Sequence, residues 1–162
     1  MSNASKTSET VLARAQAGKF LSFALGHEVY GLEILDVREI IGLMEITAVP
    51  KVPKYVKGII NLRGKVIPVI DLRLKFGLAE VAYTEETCII VLNVAGTMMG
   101  IVVDRVCEVL DISQENIEPT PDFGASLDTD FILGVGKTNG KVSMLLDIKR
   151  ILTEDILIAS QK

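Results

Sequence analysis

The chain has no tryptophan, one histidine and two cysteines in 162 residues, and only 5% of it is aromatic. Each shortage removes a class of function. Two cysteines cannot make a disulfide framework, and because Cys88 and Cys107 both lie in apolar, strand-like stretches, a buried reduced pair is expected. A zinc site wants about four ligands at ordered spacings, and a cysteine-histidine nucleophile wants a base. His27, in a Gly26-His27 turn, supplies neither. With so few aromatics there is little on which nucleotide bases could stack, and a net charge of −4 argues against a nucleic-acid surface. The longest apolar run, Met98 to Val103, falls far short of the roughly 18 residues of a membrane span. The amino terminus has no basic and apolar leader pattern, so a cytoplasmic location is expected.

What the chain does have is hairpins, in duplicate. Ile59 to Leu62 and Val66 to Ile70 flank an Arg63-Gly64-Lys65 corner, the pattern of two antiparallel strands joined by a tight turn. After Asp71, Leu72, Lys75 and Phe76 fall at helical spacing, predicting one short helical turn that ends at Gly77. From Gly134 the pattern returns 76 residues later: Gly58/Gly134, Gly64/Gly140, Lys65/Lys141, Val66/Val142 and Asp71/Asp147 are identical pairs. Tyr30 to Ile40 likewise lies over Met99 to Val109 at an offset of 69. The order of the blocks is kept, so the chain is a duplicated unit. Each half alone would be marginal, so the halves are expected to share a core.

In order, residues 1 to 19 read as a mobile arm, with at best a short helix over Thr10 to Gln16. Phe20 to Leu25 and Glu28 to Leu32 read as paired strands. Glu33 to Asp36 suits a bend or a single helical turn. Val37 to Ile46 fits a strand with Val37, Glu39 and Ile41 on one face, although Ile34, Val37 and Ile41 also fit a helix. Pro53 to Lys57 suits a short helix leading to Gly58. Gly77 to Glu86 is the polar seam between repeats. Strands follow at Cys88 to Val94, Met98 to Val103 and Val106 to Ile112. Ser113 to Thr129 reads as a long surface loop. Phe131 to Thr138 and Lys141 to Leu146 pair across an Asn139-Gly140 corner, and a short amphipathic helix closes the chain. The fold class expected is mainly β: two five-stranded barrel subdomains with short helices and a C-terminal helix.

No reactive constellation emerges. Gly134-Val135-Gly136-Lys137-Thr138 looks like the end of a phosphate loop, but Phe131 stands where the first glycine belongs and the Asn-Gly corner prevents a helix from following. Glu33, Asp36, Glu39 and Asp104 are not paired by any spacing that suggests acid and base work. Lys51, Lys54, Lys57, Arg63, Lys65, Arg73 and Lys75 are opposed locally only by Asp71, and this reads either as a solvated rim or as a docking surface for an acidic partner. No enzyme, metal or cofactor is expected. A binding module is the inference.

Phe20 to Leu25, Tyr30-Gly31, Val37 to Ile40, Gly58-Ile59-Ile60-Asn61-Leu62-Arg63-Gly64, Pro68-Val69-Ile70-Asp71-Leu72-Arg73 and Met99 to Asp104 together resemble the CheW family of bacterial chemotaxis coupling proteins. The likeness runs from about Phe20 to about Leu152. It implies a CheW-like domain over 20–158, with repeat one to about 76, the seam 77–86, repeat two about 87–147 and a C-terminal helix about 148–158. SH3-like barrels built by a swapped tandem duplication are implied as well. So is a non-enzymatic adaptor that joins the cytoplasmic tips of methyl-accepting chemoreceptors to the histidine kinase CheA, recruited to membrane receptor arrays and expected to be a monomer in isolation. Family receptor-contact positions map onto Val37, Glu39, Gly58, Arg63 and Val109; the kinase-binding residues are left unassigned. A receptor tip is a helical hairpin, which an apolar groove at the barrel seam would suit. Glu39 and Arg63 are expected to pair and order that groove, or else to be independent surface charges. For Val37 and Val109 the duller reading is buried core, and for Gly58 it is backbone geometry alone. The alternatives are a regulatory domain cut from a chemotaxis kinase and a barrel-type oligonucleotide-binding module.

Overall fold

The computed structural model describes residues 18–119, 131–153 and 155. The expected N-terminal arm lies almost wholly outside them, as do residues 120–129 of the 113–129 loop and the end of the expected C-terminal helix. Among the described residues eleven strands are formed: β1 (Lys19–Leu25), β2 (Glu28–Glu33), β3 (Val37–Gly42), β4 (Val56–Leu62), β5 (Lys65–Asp71), β6 (Cys88–Val94), β7 (Thr97–Val103), β8 (Arg105–Asp111), β9 (Ile117–Glu118), β10 (Ile132–Thr138) and β11 (Lys141–Leu146). Short helices α1 (Leu72–Lys75) and α2 (Ile148–Ile151) follow β5 and β11.

The hairpin corners explain the tight spacing. Arg63-Gly64, Ala95-Gly96 and Asn139-Gly140 all have positive φ at both residues, the backbone that matches the twist of antiparallel strands. Asp71 and Asp147 recur because each caps the helix after its hairpin: their carboxylates accept from the Leu74 and Arg150 backbone N–H.

The strands form two sheets, β8-β1-β2-β11-β10-β9 and β3-β6-β7-β5-β4. Each sheet takes the first two strands of one repeat and the later strands of the other: β6 and β7 join β3, β4 and β5, and β1 and β2 join β8 to β11. β3 leaves the strands it follows to pair with β6, and β8 pairs in the same way with β1. Hence the duplication is swapped. The two frames superpose in register: Val37 opposite Leu92 and Ile40 opposite Ile90 correspond to Val106 opposite Phe23 and Val109 opposite Leu21.

Neither sheet is a fully closed barrel. In the five-stranded sheet the chain beyond β3 returns to the far edge, where Thr47 and Ile59 exchange two backbone hydrogen bonds of 2.9 Å. In the other sheet β9 makes the equivalent contact with Val135 and Gly136, which supplies a sixth strand. β9 and the 3-10 turn Gln114–Asn116 correct the expectation of an unstructured loop from Ser113. The helix expected over Pro53 to Lys57 is replaced by a turn in which the Val56 N–H donates to the Pro53 carbonyl, because Val56 already pairs with Ile70 in β4.

The largest core fills the space between the sheets. Leu21, Phe23, Leu25 and Leu32 from one pack with Ile90, Leu92, Ile101 and Val103 from the other. A smaller cluster inside the five-stranded sheet contains Ile60, Ile67, Val69, Ile89 and Val91, and a third, Phe20, Ile112 and Leu145, sits inside its twin. β6 is therefore apolar on both faces, which is why it reads as a continuous run. Both cysteines are free thiols, as expected, but they are not buried: Cys88 is half-buried, and Cys107 is exposed because β8 is an edge strand open to solvent.

Candidate functional site

β3 and β8 are outer strands of their sheets, and each carries a bulge. In β3 the register shifts between Val37 and Glu39, so Arg38 is the extra residue. This overturns the expectation that Val37, Glu39 and Ile41 share a face. Val37 and Ile40 stand beside Leu92 and Ile90 of the shared core, whereas Glu39 and Ile41 stand beside Val91 and Ile89 of the inner cluster. The strand is not helical, which closes the other alternative.

The consequence is a pair of matched apolar rims. Val37 and Val106 are half-buried against the shared core, while Ile40 (44% exposed) and Val109 (54% exposed) lie one step further along each strand. Ile40 was missed as a candidate because a simple alternation puts it on the other face; its equivalence to Val109 at the offset of 69 was the available signal. Val37 and Val109 are on different sheets and do not pair, so the two rims border the shared core separately.

Glu39 and Arg63 are brought together: the Arg63 guanidinium donates to both carboxylate oxygens of Glu39. The Asn61 carboxamide oxygen accepts from the Gly64 N–H at 2.9 Å and fixes the corner, and the positive φ of Arg63 turns its side chain back toward β3. Since β3 and β4 are the two edges of their sheet, this ion pair spans the edges as the Thr47 bridge does. Gly58 lies in one row with Glu39 across the sheet, through Val91, Gly100 and Val69. It is buried beneath Thr47, so its part in any binding surface is to let the closing segment pass close to β4.

Of the seven local cations, four are tied to distant acids: Arg63 to Glu39, Lys57 to Glu80 (3.3 Å), Arg73 to Asp104 (2.8 Å) and Lys75 to Asp155 (3.0 Å). Lys51, Lys54 and Lys65 remain exposed and make no ion pair among the described residues. The basic stretch is therefore mostly internal wiring. His27 is exposed in its turn, and no group of three or more potential metal-binding side chains occurs among the described residues. No described helix is long and apolar enough to cross a membrane.

The crossover from β2 to β3 is acidic. Partial burial, then repulsion from Asp36 and Asp147, raises the Glu33 carboxyl above its ordinary range; burial also raises Asp36, against the pull of Lys149. A raised carboxyl pKa means that the folded state prefers the protonated form, so this contribution is present at low pH and lost as pH rises through the raised value. Glu33→Gln is expected to raise Tm at pH 7 by about 2 °C. In melts recorded at successively lower pH, that gain should shrink as the wild-type carboxyl protonates.

Comparison with known proteins adds three findings. The family described as CheW-like domain matches residues 19–155. "Chemotaxis protein CheW" of Klebsiella aerogenes is 42% identical over 137 residues, 85% of this chain and 82% of that protein. The Helicobacter pylori protein of the same name is 36% identical over 137 residues, with the same coverage of 85% and 82%. In three dimensions the chain is similar to a crystal structure of the scaffolding protein TtCheW from Thermoanaerobacter tengcongensis, with a TM-score of 0.76 and 39% identity, covering 83% of this chain and 91% of that one.

Proposed function

The chain belongs to the CheW-like domain family, a family of chemotaxis scaffold proteins, and from that premise we propose that it is a non-enzymatic adaptor coupling chemoreceptor cytoplasmic tips to the histidine kinase CheA. On this reading it works in the cytoplasm and is recruited to receptor arrays. The observation that carries the reading is the exposure of Ile40 and Val109, equivalent residues at the borders of the shared core, with Glu39 on the same edge strand as Ile40 and held by Arg63 from the β4–β5 corner. A helical hairpin presents apolar side chains at i, i+3, i+4 and i+7, and β-branched side chains on a rigid sheet edge offer them a surface that loses little entropy on binding. Val37, Glu39, Arg63 and Val109, joined by Ile40, form the proposed contact set. Gly58 supports it from beneath.

An exposed ion pair is worth only about 0 to 1 kcal/mol to stability, so Arg63→Ala is expected to keep the circular dichroism spectrum. In co-sedimentation with receptor-containing membranes, the same variant should bind about tenfold more weakly, the loss typical of a removed arginine anchor. An unfolded variant, or one that binds as the wild type does, would remove Arg63 from the site. A second measurement addresses the role as a whole: CheA activity in receptor membranes should rise when the chain is added, and no rise would count against the adaptor.

A further inference from the structure

The second repeat contains a hollow where the first contains an ion pair. In the five-stranded sheet the mouth between β3 and the β4–β5 corner is filled by Val91, Ile67 and Leu62 and spanned by Arg63 on Glu39. At the offsets that superpose the repeats, those first three positions are Ser22, Ser143 and Thr138 in the six-stranded sheet, and Asn139 stands for Arg63. Smaller, polar residues thus replace the apolar plug. The result is a cavity of about 300 Å³ lined by all four of them and by Glu108.

Glu108 is the counterpart of Glu39, and the acid is kept while its cation is not. Among the described residues, no cation makes an ion pair with Glu108. The Ser22 hydroxyl is engaged with the Glu108 backbone, donating to its carbonyl at 2.7 Å and accepting from its N–H at 3.1 Å. This fixes the strand that carries the acid. Two other cations border the cavity. Arg105 points its guanidinium at the Cys107 sulfur, 3.5 Å away, and Lys141 corresponds to Lys65, which makes no ion pair among the described residues.

We propose that this cavity is a docking site for an arginine side chain presented by a protein partner, its guanidinium pairing with Glu108 and its stem lying over Leu110 and the exposed Val142. The first repeat provides the template: the same frame, with the arginine built in, holds a guanidinium on the equivalent carboxylate. A planar guanidinium can also donate to the neighbouring Thr138 and Asn139 oxygens, which a lysine ammonium would match less well. The site lies on the six-stranded sheet, with Glu108 on the same edge strand as Val109 of the proposed receptor contact set, and its argument uses neither Val109 nor the receptor.

The probe is N-acetyl-arginine amide, titrated into the intact chain and followed by backbone amide NMR. Saturable shifts are expected at residues 107–110 and 138–143, with an affinity on the order of millimolar for so small a ligand. The isosteric, uncharged citrulline amide should leave those signals in place, and Glu108→Gln should abolish the arginine response. Asn139→Arg, at a position whose φ of 52° equals that of Arg63, should fill the cavity from within, raise Tm and block the probe. Shifts that are absent, that citrulline reproduces, or that survive in Glu108→Gln would overturn the proposal. So would an Asn139→Arg protein that still takes up the probe.

Discussion

Gly58→Val is expected to lower stability by about 3 kcal/mol or more and Tm by about 10 °C. A Cβ at this position would lie 2.0 Å from the Thr47 carbonyl oxygen and 2.7 Å from its carbon, and the backbone φ is +143°, where side chains are rarely accommodated. Both obstacles are backbone, so no rotamer relieves them. The segment around Thr47 must move, and with it go the two hydrogen bonds that join the edges of the sheet. The twin position gives an internal comparison. At Gly134 a Cβ would meet the Glu118 carbonyl oxygen and the Ile117 side chain at 2.9 Å, with no positive φ, so Gly134→Val is expected to cost distinctly less. Thermal melts of the two variants decide this, and equal losses would show that closure at Thr47 is not the cause. A receptor-binding defect in a Gly58 variant is then to be read as a displaced closing segment until its fold has been checked.

The strands were legible because they are short, alternate in polarity and end in corners with a local chemical signature. The duplication was legible for the same reason, since Gly58/Gly134 and Asp71/Asp147 answer to local needs: close passage of a second strand, and a helix cap. Contacts set by distant chain were not. Lys75 and Asp155 are 80 residues apart, and nothing near Lys75 in sequence announces its acid. The bulge at Arg38 is a matter of pairing with β6, so the residues that share a face on β3 could not be deduced from alternation, and Ile40 was overlooked. The Glu39–Arg63 pair became an expectation only through the family resemblance, although the Asn61 turn that positions it is written in four consecutive residues. Pro53 to Lys57 misled because a favourable helix start was overridden by the pairing available to Val56.

The other large effect is expected from the link between the repeats. Lys75, on α1 of the first hairpin, reaches Asp155 at 3.0 Å beyond α2 of the second, and Tyr55 donates its hydroxyl to the same carboxylate at 3.0 Å. The side chains of Lys75 and Asp155 are only 12% and 3% exposed, so this is a buried ion pair, whose removal by one partner is far more costly than its removal by both. Lys75→Ala should therefore lose about 3 kcal/mol, while the double variant Lys75→Met/Asp155→Leu should recover most of it. Denaturant titrations of the single and double variants measure the coupling; additive losses would mean that the two residues act separately. The pair also sets an alkaline limit. Burial pulls the Lys75 ammonium down, but its hydrogen bonds to Asp155 and Tyr55 outweigh that and hold it above its ordinary value of 10.5. Its contribution is then complete below 10.5 and is lost as pH rises through the higher folded value, so the wild type should lose stability across that window by an amount that the double variant does not.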